Sequence, residues 1–121
     1  MSLQTRSQRM AQAAFDRVDA RKRQGSFRDY VIFARRFPAL LHSCGLAQAV
    51  AFARAKEQNA YLSDLVGVLR VAGHGEIGSG EQLDKRARDA AVGEYFRLTR
   101  DALRAAEWLK RYAEALSEEE S

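Results

Sequence analysis

Residues 95–115 read Tyr95-Phe96-Arg97-Leu98-Thr99-Arg100-Asp101-Ala102-Leu103-Arg104-Ala105-Ala106-Glu107-Trp108-Leu109-Lys110-Arg111-Tyr112-Ala113-Glu114-Ala115, and their spacing predicts one continuous helix with two unlike faces. At about 100° per residue, Tyr95, Leu98, Thr99, Ala102, Ala106, Leu109, Tyr112 and Ala113 share a broad, mostly apolar side. Arg97, Arg100, Arg104 and Arg111 fall together on a narrow arc, a row about 21 Å long at 1.5 Å per residue. This helix therefore offers a packing face and a cationic ridge at once. With no catalytic constellation elsewhere in the chain, the ridge is read as holding a partner rather than converting a substrate.

The rest of the chain supports a helical body around this element. One proline and eight glycines in 121 residues are few, and 46% of residues are hydrophobic. Ala, Leu, Arg and Glu dominate, which favours helix. The expected fold is all-α: one compact bundle of about six helices with a long C-terminal helix, residues 1–121 forming a single domain and 117–121 an acidic, disordered tail. No segment approaches the eighteen or so apolar residues needed to span a bilayer, and the N-terminus lacks an apolar signal core. The single Cys44 cannot form an internal disulfide. These features predict a soluble, cytoplasmic protein.

Helix boundaries follow from caps and breakers. The first helix is expected over 4–23, burying Leu3, Met10, Ala11, Ala14, Phe15 and Val18. Ser26 is expected to cap the second, with Asp29 as its partner. Pro38 marks a break, followed by a short helix to Ser43 that stops at Gly45. Leu46 to Lys56 is apolar nearly all round and is placed at the centre of the bundle. Asn59 is the expected cap of the next helix, which has the stripe Leu62, Leu65, Val66 and Leu69. Gly73 to Gly80 is a loop, and Ser79 with Gln82 forms a capping box for the helix after it. The pattern from Glu81 to Leu116 exceeds a usual helix length, so a break is expected between Arg88 and Gly93. Large aromatics, Phe52, Tyr95 and Trp108, are expected to occupy the core in part.

Net charge is +4 at pH 7, and its distribution is uneven. Residues 1–36 carry nine Arg/Lys against three Asp, whereas residues 81–121 carry eight Arg/Lys against ten acids. A basic first third suits a polyanion, most simply nucleic acid. The same surplus serves solubility alone, and charge by itself does not choose. Sixteen of the twenty cations are arginine, whose fork suits phosphate and base stacking.

Other motifs carry less. Gly73-His74-Gly75-Glu76-Ile77-Gly78 matches G-x-G-x-x-G, but a dinucleotide fingerprint needs a preceding strand in a parallel sheet. An amphipathic helix precedes it here, so the segment is read as a flexible connection. His42 and Cys44 are two ligands, too few for zinc, and Cys44 is read as a small buried apolar residue. Asp16, Asp19, Asp84 and Asp89 sit among arginines, where ion pairing suffices. No catalytic, metal-binding or cofactor-binding residue is assigned. On the ridge, Arg97 with Asp101 and Glu107 with Arg111 are spaced for ion pairs that would neutralise half of it. Trp108 borders the same arc, and cations beside an aromatic suit single-stranded nucleic acid.

The order of these motifs resembles a known family. A basic first helix precedes Phe37-Pro38, then Gly45-Leu46-Ala47-Gln48-Ala49-Val50-Ala51-Phe52 and Lys56, and the chain closes with Trp108-Leu109-Lys110-Arg111-Tyr112-Ala113. Over roughly Arg9 to Ala115 this is similar to the small helical subunit of the Cmr complex, the type III-B CRISPR RNA-silencing machine. Cys44 departs from it, standing where the family often has asparagine. The resemblance implies a non-catalytic subunit of which several copies stack beside the backbone subunits that hold the guide RNA. It further implies that this subunit helps form the groove admitting target RNA, and that cleavage belongs to the backbone subunits. Expected partners are the other Cmr subunits, copies of itself and guide or target RNA, with no membrane and no small-molecule substrate. Arg21, Lys22 and Arg23 at the end of the first helix, Lys56, and Lys110 with Arg111 are the leading contact residues. Arg97, Arg100 and Arg104 come second. A free-standing nucleic-acid-binding protein or a protein adaptor would use the same surface.

Overall fold

In a computed structural model, which describes residues 3–118, five helices follow one another: α1 (Arg6–Lys22), α2 (Phe27–Ala55), α3 (Asn59–Val71), α4 (Gly80–Asp89) and α5 (Val92–Glu118). No strand occurs among the described residues. The all-α expectation and the long C-terminal helix hold. Of the acidic tail 117–121, Ser117 and Glu118 belong to the last turn of α5, and the rest lies outside the described residues.

α1 opens on a reciprocal cap. The Thr5 hydroxyl accepts from the Gln8 N–H at 3.0 Å, and the Gln8 amide oxygen accepts from the Thr5 N–H at 2.7 Å, satisfying two donors that the first turn leaves open. Met10, Ala14 and Val18 are buried, whereas Leu3, expected inside, is almost fully exposed and Phe15 lies at the surface.

α2 departs most from expectation, and it explains why five elements replace six. Pro38 does not end a helix. It loses one intrahelical hydrogen bond, yet Phe37, Pro38 and Leu41 stay helical and buried in a row. The break comes at Gly45, where φ is 82° and ψ is 168°, a conformation open to glycine and costly to other residues. The two arms of α2 therefore join in one bent element. Ser26 takes a left-handed backbone with no side-chain cap, so the expected pairing with Asp29 is not made. Gln58, not Asn59, precedes α3. At α4 the Ser79 hydroxyl accepts from the Gln82 N–H, but the Gln82 side chain accepts from the Gly78 N–H instead of returning to Ser79.

The central element is α3 rather than the Leu46–Lys56 arm. Tyr61, Leu62 and every residue from Asp64 to Leu69 are buried, so the short α3 is covered on nearly every side by the helices around it. The Leu46–Lys56 arm buries Leu46, Ala49, Val50 and Ala53 and exposes Gln48, Ala51 and Arg54. Phe52, Tyr95 and Trp108 are half-buried against the core. Cys44 is exposed, since it stands just before the bend and outside the stripe that faces α5.

Contacts set the directions. Arg6 meets Asp101 and Phe15 meets Tyr112, so α1 and α5 run parallel. Arg6 meets Ala72 while Arg21 meets Ala60, so α1 and α3 run antiparallel. Arg35 pairs with Glu114 and Ala47 bonds to Tyr95, so α2 and α5 are antiparallel. The expected break before α5 falls at Ala90, whose backbone is extended.

Candidate nucleic-acid interface

The 3.6-residue period of α5 does what its apolar spacing requires. Leu98, Ala102, Ala105, Ala106, Leu109 and Ala113 are buried, which leaves Arg97, Arg100, Arg104 and Arg111 exposed. The ridge is less neutralised than the spacing suggested. Asp101 turns inward, 2% exposed, where it accepts from Arg6 Nη2 at 3.2 Å and meets His74 Nε2 at 2.8 Å. Its ridge partner is Arg100, at 3.5 Å, and not Arg97. Among the described residues Arg97, Arg104 and Arg111 enter no salt bridge, and the Glu107–Arg111 pair is not formed.

Aromatic rings border this ridge. Trp108 and Tyr112 stack at 5.9 Å with 14° between planes, and Phe15 of α1 meets Tyr112 edge-on at 5.5 Å. Arg104 and Arg111 stand one turn either side of Trp108. With Glu107 these residues line a shallow groove of about 240 Å³. Guanidinium groups flanking a half-buried indole provide phosphate contacts beside a stacking surface.

The second expected cluster lies at one end of the bundle, and its members differ. The Arg21 fork is committed inward. Its Nε donates to Asp64 Oδ2 at 3.0 Å and its Nη2 to Asp64 Oδ1 and the Ala60 carbonyl. The hydrogen bond to Asp64 raises the Arg21 pKa further, against the opposing effect of burial. Arg23 pairs with Asp19 at 2.6 Å but remains largely exposed. Lys22 is half-buried beside it. Lys56 is exposed with Nζ 5.7 Å from the centre of the Phe52 ring. Because α1 and α5 are parallel, Lys110 and Arg111 approach the same end of the bundle as Arg21 to Arg23, whereas Arg97 and Arg100 lie toward the other. The nine expected residues thus form a lateral ridge and an end cluster, not one patch.

No group of three or more His, Cys, Asp or Glu able to hold a metal occurs among the described residues, and no described helix is long and apolar enough to cross a membrane.

A family model described as CRISPR-associated protein, Cas_Cmr5, matches residues 6–116. The chain belongs to the Cmr5 family. It is 38% identical over 118 residues to the protein named CRISPR system Cmr subunit Cmr5 of Thermus thermophilus, covering 97% of this chain and all of that one. It is also similar to the crystal structure of a CRISPR-associated Cmr5 family protein from Thermus thermophilus. There the TM-score is 0.84 at 36% identity, with 93% of this chain and 98% of the other covered.

The stretches that carry the Cmr5 resemblance meet in this fold. Gly45 forms the bend, and the first arm residue after Leu46, Ala47, donates its N–H to the Tyr95 hydroxyl at 3.2 Å. The family-like ending places Trp108 and Arg111 on the ridge and Leu109 and Ala113 in the core. A feature outside the expected residues is a cleft between α1, α3 and α4 whose walls include Arg17, Arg54 and Arg70. Spacing along one helix could not reveal it, because each arginine comes from a different element. The one local signal was Gly67, a glycine in the middle of a helix otherwise rich in large apolar residues.

Proposed function

We propose that this Cmr5-family chain is a non-catalytic structural subunit of a type III-B CRISPR Cmr complex, acting in the cytoplasm in antiviral defence. It stacks with copies of itself along the backbone subunits and helps hold target RNA against the guide through phosphate contacts, without reading its sequence. The observation that carries this reading is the α5 ridge. Three of its guanidinium groups, Arg97, Arg104 and Arg111, are exposed and enter no salt bridge within the described chain, and Trp108 lies between two of them. Arg23, Lys56 and Lys110 extend the basic surface toward the end of the bundle, with Lys22 beside them, while Arg21 braces that end through Asp64. Arginine forks engage phosphate oxygens in pairs, and an exposed row of them follows a backbone of regularly spaced charges.

Affinity purification of the tagged chain from its native cells tests the assignment. The expected result is co-purification of the other Cmr subunits with guide RNA. Recovery of the chain with no such partners, or site-specific binding of duplex DNA by the chain alone, would contradict it.

A further inference from the structure

Arg17 of α1, Arg54 of α2 and Arg70 of α3 converge on a cleft of about 420 Å³ that also presents Ser63, Ser79 and the first turn of α4. Its charge is not balanced internally. Asp64 is shared by Arg17 and Arg21, with Arg21 the closer, so the charge left over there is that of Arg17; Asp84 is met most closely by Arg54 and also by Arg88, which stands outside the cleft. Arg70 enters no salt bridge and donates to the neutral Ile77 carbonyl at 3.0 Å. Glu81 is the one acid on the wall. Arg17 and Arg70 in surplus against Glu81 make this a cationic hollow, and the positive end of α4 adds to it.

The position of Arg17 is built into the sequence. A Cβ placed on Gly67 would fall 2.6 Å from Arg17 Cζ, Nε and Nη2, so the guanidinium lies against the bare backbone of α3. Glycine within a helix costs about 1 kcal/mol relative to alanine, and here it makes room for that head group. The hydrogen bonds that Arg17 makes are long: Nη1 reaches the Ser63 carbonyl and Asp64 Oδ1, each at 3.5 Å. Shape rather than strong bonding holds it, and its Nε and Nη2 donors remain for another acceptor.

We propose that this cleft binds the phosphodiester backbone of single-stranded RNA, a second contact site separate from the α5 ridge. Planar forks from three directions, with Ser63 and Ser79 hydroxyls between them, match tetrahedral phosphate oxygens. The choice of RNA rests on the function proposed above; the cleft and its surplus charge do not.

Fluorescence anisotropy of a short labelled oligouridine with the full chain, across a range of salt, tests it. Arg70→Gln is expected to lower affinity about tenfold and to reduce the slope of log K against log salt by about 0.7. Gly67→Ala keeps every charge but displaces the Arg17 head group. It is expected to weaken binding by a similar factor while the urea midpoint stays near that of the parent. Arg104→Gln serves as the ridge comparison. If the two cleft variants bind as the parent does while Arg104→Gln binds less tightly, the cleft site is overturned and the RNA reading survives. If the parent chain fails to bind RNA even at low salt, both fall. If an oligoglutamate peptide, and not RNA, shifts the Arg17 and Arg70 Nε resonances in NMR, the cleft docks protein and the RNA assignment is overturned.

Discussion

Tyr30 donates its hydroxyl proton to Asp64 across 2.7 Å inside the core, joining the first arm of α2 to α3. Asp64 is 1% exposed and also accepts from Arg21 and Arg17. A carboxylate with a phenol and two guanidinium groups is well satisfied, and its removal strands the buried Tyr30 hydroxyl and the Arg21 Nε–H. Asp64→Ala is expected to cost about 3 kcal/mol, with the urea m-value unchanged. Urea unfolding followed by far-ultraviolet circular dichroism measures it.

Tyr61 stands close by with the opposite problem. It is 0% exposed, and its hydroxyl has no hydrogen-bond partner among the described residues. In the unfolded chain water satisfies that group. Tyr61→Phe removes the stranded oxygen and keeps the ring, so it is expected to raise stability by about 1 kcal/mol. A loss of stability in the same urea experiment would show that the hydroxyl is bonded.

The two tyrosines also give stability an alkaline limit. Burial, then the charge of Asp64, pushes the Tyr30 hydroxyl above the accessible pH range, and the same causes raise Tyr61 well above its ordinary value. In the unfolded chain both ionise near pH 10. The unfolded state then binds fewer protons than the folded one, so stability falls as pH rises past that point. Below it these groups contribute no slope. Each tyrosine adds a decline of about 1.4 kcal/mol per pH unit. Between about pH 9 and about pH 11, urea unfolding of the parent and of Tyr61→Phe is expected to show a fall smaller for the variant by about 1.4 kcal/mol in total, nearly all of it above pH 10.

Gly45 and Tyr95 act on one bend. A Cβ at Gly45 would lie 3.4 Å from the Tyr95 hydroxyl, and the left-handed backbone adds strain. Gly45→Ala is expected to cost about 1–3 kcal/mol. Tyr95→Phe, which removes the acceptor for the Ala47 N–H, is expected to cost about 1 kcal/mol. Because both disturb the same junction, the double variant is expected to lose less than the sum of the two.

How far these features could be read from the sequence depends on range. The buried side of α5 follows from a local period, and the break near Ala90 from helix length. The interruption at Gly45 was legible from glycine itself, whereas the break expected at Pro38 does not occur, because proline advertises a break that burial of Phe37, Pro38 and Leu41 overrides. The Leu46–Lys56 arm looked central on composition, but α3 occupies the centre through contacts with elements distant in sequence. Exposure of Arg104 and Arg111 was legible for the same reason as the core face. The commitment of Arg21 to Asp64, and of Asp101 to Arg6 and His74, was not, since each pair joins different elements. The loop at Gly73 to Gly80, read as flexible, is pinned by the His74–Asp101 contact and by burial of Ile77.

The central claim is that this helical body holds RNA and breaks no bond in it. Reconstituting the guide-loaded Cmr complex with the chain carrying Arg97→Glu, Arg104→Glu and Arg111→Glu, and measuring target-RNA affinity together with the cutting rate of target already bound, tests it most directly. The account predicts weaker target binding that is most evident as salt rises, with the cutting rate of bound target unchanged. Unaltered affinity, or a cutting rate that collapses while binding is intact, would contradict it.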